Sequence, residues 1–293
     1  ILVGSTGVIG VPLNMPSVRS GIRLAAQKLS ENGGHDAEEA IMTTDLRPKE
    51  IAVEVEIQDT KVIIGGMAKG SGMIHPNMAT MIGVLTTDAN ISRGLLDKAL
   101  KEVVKKTFNR VSVDGDTSVC DMVIALANGE ANNSGIVKEN VEFETFKKGL
   151  EYVCTFLSKE IAKDGEGATK LVEVTVNGAL TEEDAYSAVC SVAKSPLVKT
   201  AIFGEDANWG RILTAVGYSG AEFDPNLVDI SIGSLMVCRN GCALEFDEDA
   251  AKKILKEKEI KITINLKKGQ YSDKIWTCDF SYDYVKINGS YRS

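Results

Sequence analysis

Between residues 171 and 265 the chain exchanges one apolar period for another and back, and this exchange limits the fold more than any other feature. In LVEVTVNG, Val172, Val174 and Val176 alternate with polar residues, the period of a strand with one buried face. TEEDAYSAVCSVAKS then reads as a helix. Further on, Ile260, Ile262 and Ile264 alternate with Lys261, Thr263 and Asn265 as another strand. The same exchange runs through the rest. Residues 16–31 (PSVRSGIRLAAQKLSE) predict a helix with Pro16 at an N1-like position and Gly33-Gly34 as its stop. EIAVEVEI and KVIIGG, on either side of Gln58-Asp59-Thr60, predict a hairpin. Residues 93–108 place Leu96, Leu100, Val103 and Val104 on one helical stripe, with Asn90 or Ser92 as cap. VEFETFKKGLEYVCTFLSKEIAK predicts a long helix and KIWTCDFSY a late strand, while the opening ILVGSTGVIG reads as a strand already under way. Such a mixture predicts an α/β (α+β) fold of stacked helices and sheets rather than a doubly wound nucleotide fold. No repeat, low-complexity tract or Pro/Ser linker interrupts it. The DGEGATK loop at 164–170, between a helix and a strand, is where a boundary between lobes would fall.

The totals narrow the function. The 293 residues suffice for one large domain or two smaller ones, and 44% apolar with 25% charged residues is ordinary for a soluble globular protein. A net charge of −8 argues against a nucleic-acid partner, whose phosphates require a concentrated basic face. No apolar run is long enough to cross a bilayer, and no basic-then-apolar signal segment opens the chain. The first residue is not Met, so a preceding segment is expected to be missing. Of six cysteines only Cys238 and Cys242 are close, no Cys-x-x-Cys accompanies them, and the histidines are His35 and His75. That pattern argues against a zinc site, and scattered cysteines in apolar surroundings indicate a reducing compartment.

The stretch GGMAKGSGMIHPNMATMIGVLTTDA, residues 65–89, is where chemistry concentrates. A Ser-His-Asp or Cys-His device needs a histidine; His75 offers a base or, equally, a neutral histidine satisfied by backbone. A threonine offers another route. If the peptide bond before it is cut, the freed α-amine, with a pKa of about 7.7–8.0, lies beside its own hydroxyl and can take the proton near neutral pH. Ala79-Thr80 has the required form, a small residue and then a threonine on a tight loop; the plainer alternative is a β-branched residue opening a strand.

The surrounding motifs resemble the ArgJ family of ornithine acetyltransferases, or glutamate N-acetyltransferases, of arginine biosynthesis. They are STGVIG at 5–10, MTTD at 42–45, GGMAKGSGMIHPNMATM at 65–81, VDGDTS at 113–118, GEGATK at 165–170, GEDANWGRI at 204–212 and NGSYRS at 288–293. They run in family order from end to end, and the seventeen-residue block alone is highly specific. The resemblance implies a layered αββα-type sandwich of the DmpA/ArgJ-like kind, one catalytic unit over 1–293. It implies self-cleavage between Ala79 and Thr80 into α (1–79) and β (80–293) chains, with Thr80 as nucleophile. It makes Thr6 and Gly7 an oxyanion hole, a hydroxyl and a backbone N–H aimed at developing negative charge. It gives Glu166 a catalytic and substrate-contacting place, and makes Thr43, Lys69, Thr80, Asn288 and Ser293 substrate contacts. The lysine suits a carboxylate, and Glu166 an ammonium. The read-alone alternatives are a Gly turn for Thr6-Gly7, a solvated lysine, a loop carboxylate and a disordered tail.

The implied reaction moves acetyl from N2-acetylornithine to glutamate through acetyl-Thr80, with no metal or cofactor and with acetyl-CoA possible as a substrate. The implied setting is cytoplasmic, with α and β chains assembled into a heterotetramer or larger and no nucleic-acid or membrane partner. An amidohydrolase using the same threonine, or a non-cleaving amino-acid-binding relative, are the alternatives. The chain departs from the family at Cys120, where asparagine is common, at Ala207, where proline is frequent, at Ser293, where threonine is usual, and in lacking the family's amino-terminal segment.

Overall fold

The computed structural model describes residues 2–75 and 81–290. Helices α1 (Met15–Gln27) and α2 (Gly34–Ile41) lead into a four-stranded sheet. Its strands are β1 (Glu50–Ile57), β2 (Thr60–Lys69), β3 (Ile82–Thr87) and, after α3 (Arg93–Lys106) and the short β4 (Val111–Ser112), β5 (Met122–Ala127). The order is β1-β2-β3-β5, antiparallel except for the β3–β5 pair. The β1–β2 hairpin forms as expected. Gln58 and Asp59 both take positive φ (50° and 59°), the geometry of a two-residue turn that follows the twist of the strands.

α4 (Val141–Lys163) is the long helix. Asn140 caps it by accepting from the Phe143 N–H, and Phe143, Phe146, Leu150, Val153, Leu157 and Ile161 form one buried stripe at helical spacing. α4 packs against β1 and β2 and also reaches the second sheet. That sheet has seven strands in the order β4-β11-β6-β10-β7-β8-β9, built from β6 (Leu171–Ala179), β7 (Asp229–Ile232), β8 (Leu235–Arg239), β9 (Cys242–Ala243), β10 (Glu259–Asn265) and β11 (Tyr271–Cys278). α5 (Glu182–Lys194) covers β6 and β11, with α6 (Pro196–Phe203) and α7 (Trp209–Gly217) against it. α8 (Glu248–Leu255) precedes β10, and α9 (Tyr282–Asn288) follows β11. Mixed sheets flanked by helices are the α/β class expected. The apolar interior forms two clusters. One joins the four-stranded sheet to α3 and α4, and the other joins the seven-stranded sheet to α5 and α7.

Two local expectations change. Residues 2–7 form no strand: Leu2 and Val3 are exposed, and among the described residues no neighbouring edge pairs with their backbone. α1 ends at Gln27, and Gly33 instead serves as N-cap of α2; no side chain of α1 is buried, so nothing packs to extend it. At α3 the expected choice of cap falls to Ser92, which holds the position without a side-chain bond, while Asn90 bonds Asn133.

Candidate functional site

β2 carries Lys69 to the buried end of the four-stranded sheet, where its Cα partner on β3 is Ile82. The Lys69 ammonium donates to Thr43 Oγ1 at 2.8 Å and lies 3.5 Å from Asp45 Oδ2. Beneath it is a second buried lysine. Lys49 Nζ donates to Asp45 Oδ1 (2.8 Å) and Asp164 Oδ2 (2.6 Å), joining the MTTD segment to the end of α4. Asp45 also accepts from the Gly70 and Thr43 N–H groups. Burial pushes the Asp45 carboxyl up, but the Lys49 ammonium and the Gly70 N–H outweigh it and hold it below its ordinary value. Two lysines thus share two carboxylates, and Lys69 keeps part of its hydrogen-bonding capacity for a ligand.

Glu166 faces the same space. Its backbone N–H bonds the Ser71 carbonyl, and its Oε2 accepts from Asn288 Nδ2 at 2.8 Å, which draws the end of α9 to the loop after α4. Asp279 fixes that loop from below by accepting from the Thr169 and Lys170 N–H groups and the Thr169 hydroxyl. Gly72 leaves room for the Glu166 carboxylate, because a Cβ at that position would fall on it and push it aside.

Two acids from one loop hold the described residues on either side of positions 76–80. Asp114 accepts from the Met73 and Ile74 N–H groups (2.6 and 3.0 Å), and Asp121 accepts from the Met81 N–H (2.9 Å). Burial raises the Asp114 carboxyl despite those bonds, and pushes Asp121 up to about 6 against the Met81 N–H. His75 contacts Ser112 Oγ at 3.2 Å rather than backbone. Burial, with the Lys194 charge, pushes it down to about 4, so near neutral pH it is uncharged and a poor base.

The opposite side is residues 4–9. Gly4 lies so close to the Met122 side chain that a Cβ there would overlap it, which seats the segment beside β5. Thr6, Gly7, Thr43, Lys69, Glu166 and Asn288 line one cavity of about 220 Å³, with Met73, Ser118 and Cys120 among their neighbours. Cys120 is half-buried, and its N–H bonds Ser118 Oγ. A wider groove of about 950 Å³ lies by Arg110, Tyr186 and Asp273. Arg110 there is already paired with Asp273 and stacked over Tyr186, so the groove offers less for a ligand to hold. Ala79, Thr80 and Ser293 lie outside the described residues. Sequence reasoning passed over Asp45, Lys49, Asp164, Asp114 and Asp121. All but Lys49 lie in or beside the motifs already quoted, where runs of acids are the signal.

The comparisons with known proteins agree with one another. The ArgJ family profile matches residues 1–293. The "Arginine biosynthesis bifunctional protein ArgJ" of Caldanaerobacter subterraneus subsp. tengcongensis is 55% identical over 297 aligned residues, covering 100% of this chain and 74% of that protein. The protein of the same name from Symbiobacterium thermophilum is 56% identical, covering 99% of this chain and 72% of that protein. A crystal structure of Arginine biosynthesis bifunctional protein argJ from Bacillus halodurans superposes with a TM-score of 0.70 at 46% identity, covering 72% of this chain and 100% of that one.

Proposed function

The chain belongs to the ArgJ family, and from that kinship we propose that it transfers the acetyl group of N2-acetylornithine to glutamate in arginine biosynthesis, after cutting itself between Ala79 and Thr80. The observation that carries the reading is the cavity itself. Five separate segments deliver Thr6, Gly7, Thr43, Lys69, Glu166 and Asn288 to one small space, with a buried cation and a buried carboxylate among them. An amino acid presents the complementary pair, a carboxylate for Lys69 and an ammonium for Glu166. Ile82, the register partner of Lys69, is two residues beyond Thr80 in the chain.

In this reading the Thr80 hydroxyl attacks the acetyl carbonyl while its own α-amine takes the proton. Thr6 Oγ1–H and the Gly7 N–H hold the oxyanion. The C–N bond to ornithine breaks, and the proton leaves on the ornithine amine. Acetyl-Thr80 then gives its acyl group to the glutamate amine by the same steps reversed. Acetyl-CoA is a possible second donor, and no metal or organic cofactor takes part in the transfer. Ser293 supplies a further hydroxyl to the substrate. The two hydrophobic clusters support reading the unit as two lobes dividing near 164–170. The α and β pieces pair in the cytoplasm as a heterotetramer or larger.

The test is mass spectrometry of the protein before and after N-acetylornithine. A fragment beginning TMIGVLTTDA that gains one acetyl group, releases a burst of ornithine and yields N-acetylglutamate on adding glutamate is expected. Thr80→Ala should show neither cleavage nor transfer. Turnover by that variant would remove Thr80 from the mechanism, and acetate in place of N-acetylglutamate would make the protein a hydrolase.

A further inference from the structure

Away from the cavity, α2 and β1 bring a histidine and two carboxylates to a place the proposed reaction does not use. His35 and Glu38 stand one turn apart on α2, and Glu50 opens β1 beside them. His35 Nδ1 lies 3.1 Å from Glu50 Oε1 and 3.8 Å from Glu38 Oε2. One donor atom from each of the three lies within 4.8 Å of the other two.

Glu38 is the member that calls for a ligand. Its side chain is 1% exposed, and neither carboxylate oxygen has a hydrogen-bond partner among the described residues. The neighbouring Lys49 turns its ammonium to Asp45 and Asp164 instead. A buried carboxylate without a donor is costly.

We propose that His35, Glu38 and Glu50 bind a divalent transition cation of the zinc class, through one imidazole nitrogen and two carboxylate oxygens, with water completing the shell. The spacing fits. Zinc bonds to nitrogen and oxygen are about 2.0–2.2 Å, so two ligands at a tetrahedral angle stand roughly 3.4 Å apart, and the distances of 3.1 and 3.8 Å from His35 Nδ1 bracket that value. The far side of the ring fits too. His35 Nδ1 is within hydrogen-bond distance of Glu50 Oε1 and Nε2 faces Glu39 Oε1 at 3.5 Å, so a metal taking Nδ1 would replace the Glu50 hydrogen bond and leave the ring proton on Nε2 toward Glu39. A nitrogen with only two carboxylates suits zinc, cobalt or manganese better than calcium or magnesium, which take mostly oxygen. The lack of paired cysteines and histidines argues against a site built of those residues, and here one histidine is joined by two carboxylates instead. The cation would tie the first turns of α2 to the start of β1, and so brace the 42–49 segment that carries Thr43, Asp45 and Lys49.

The test uses the full chain after chelator treatment, titrated with Zn²⁺ and Co²⁺. One equivalent should bind, with a visible cobalt absorption and a Tm rise on the order of 5 °C at a hundredfold excess over Kd. His35→Gln and Glu38→Gln should lose both signals. Glu38→Gln also removes the unpaired buried charge, so in chelator its Tm should equal or exceed that of the unsubstituted protein, which separates loss of the site from loss of the fold. No Tm rise with either metal, or an equal rise and spectrum in both variants, would overturn the assignment.

Discussion

The two walls of the cavity are built on different terms. In the wall of Thr43, Lys69 and Glu166 the lysine and the glutamate are buried, and their charges are held in place by Lys49, Asp45, Asp164 and Asn288. The wall of Thr6 and Gly7 belongs to residues 2–13, which have no regular structure and no buried side chain. Groups that bind charge are thus set by the fold, whereas groups proposed to stabilise the transition state rest on a surface segment. Changes in the first wall should register in stability and binding, and changes in the second in rate.

The largest effect tests the first wall. Lys49→Met leaves Asp45 and Asp164 buried without their shared cation and should cost about 3–5 kcal/mol of stability, read from urea unfolding at unchanged m-value. A loss under 1 kcal/mol would mean that the network is not what holds this wall. Thr6→Ala should instead lower kcat by on the order of 10²–10³ while Tm stays put. A fall in Tm matching that of Lys49→Met would erase the contrast between the walls. Lys69→Met, in the first wall, should lower kcat/KM for glutamate by a factor equivalent to about 1.5–3 kcal/mol; an unchanged value would place Lys69 outside the site. The smallest effect concerns pH. His75 has its folded pKa lowered from 6.5 to about 4, so in that window the unfolded chain binds more protons and stability falls as pH drops. His75→Asn should flatten stability between about pH 6.5 and 4, seen in denaturation midpoints at the two ends. An unchanged slope would assign the acid sensitivity elsewhere.

Much of the fold was legible because burial is periodic. The alternation of Val172, Val174 and Val176 and the stripe from Phe143 to Ile161 each need only their own segment to be read. The opening ILVG was misread because an apolar triplet is compatible with a strand or with an exposed extended chain, and only a neighbouring edge decides. Six of the residues the motifs named line one cavity, yet the motifs could not show that Lys49 meets Asp164 across 115 residues or that Asn288 meets Glu166 across 122. Those meetings depend on where α4 and α9 end in space, which no local period encodes. Glu38 was passed over for a related reason: its isolation appears only when everything around it has been placed.

The antiparallel ladder between β2 and β3 crosses the proposed cut. If the chain is severed before Thr80, β1 and β2 belong to one polypeptide and β3 and β5 to another, and a single sheet becomes the seam between them. Severing the chain then costs the native protein little, since the ladder and the α4 packing persist. It changes the return journey entirely. The unsevered Thr80→Ala protein would refold at a rate independent of dilution, while the severed one must find its other half by diffusion and would refold more slowly the more dilute it is. Activation by such a cut would therefore be a one-way step, made once on a chain that had folded whole.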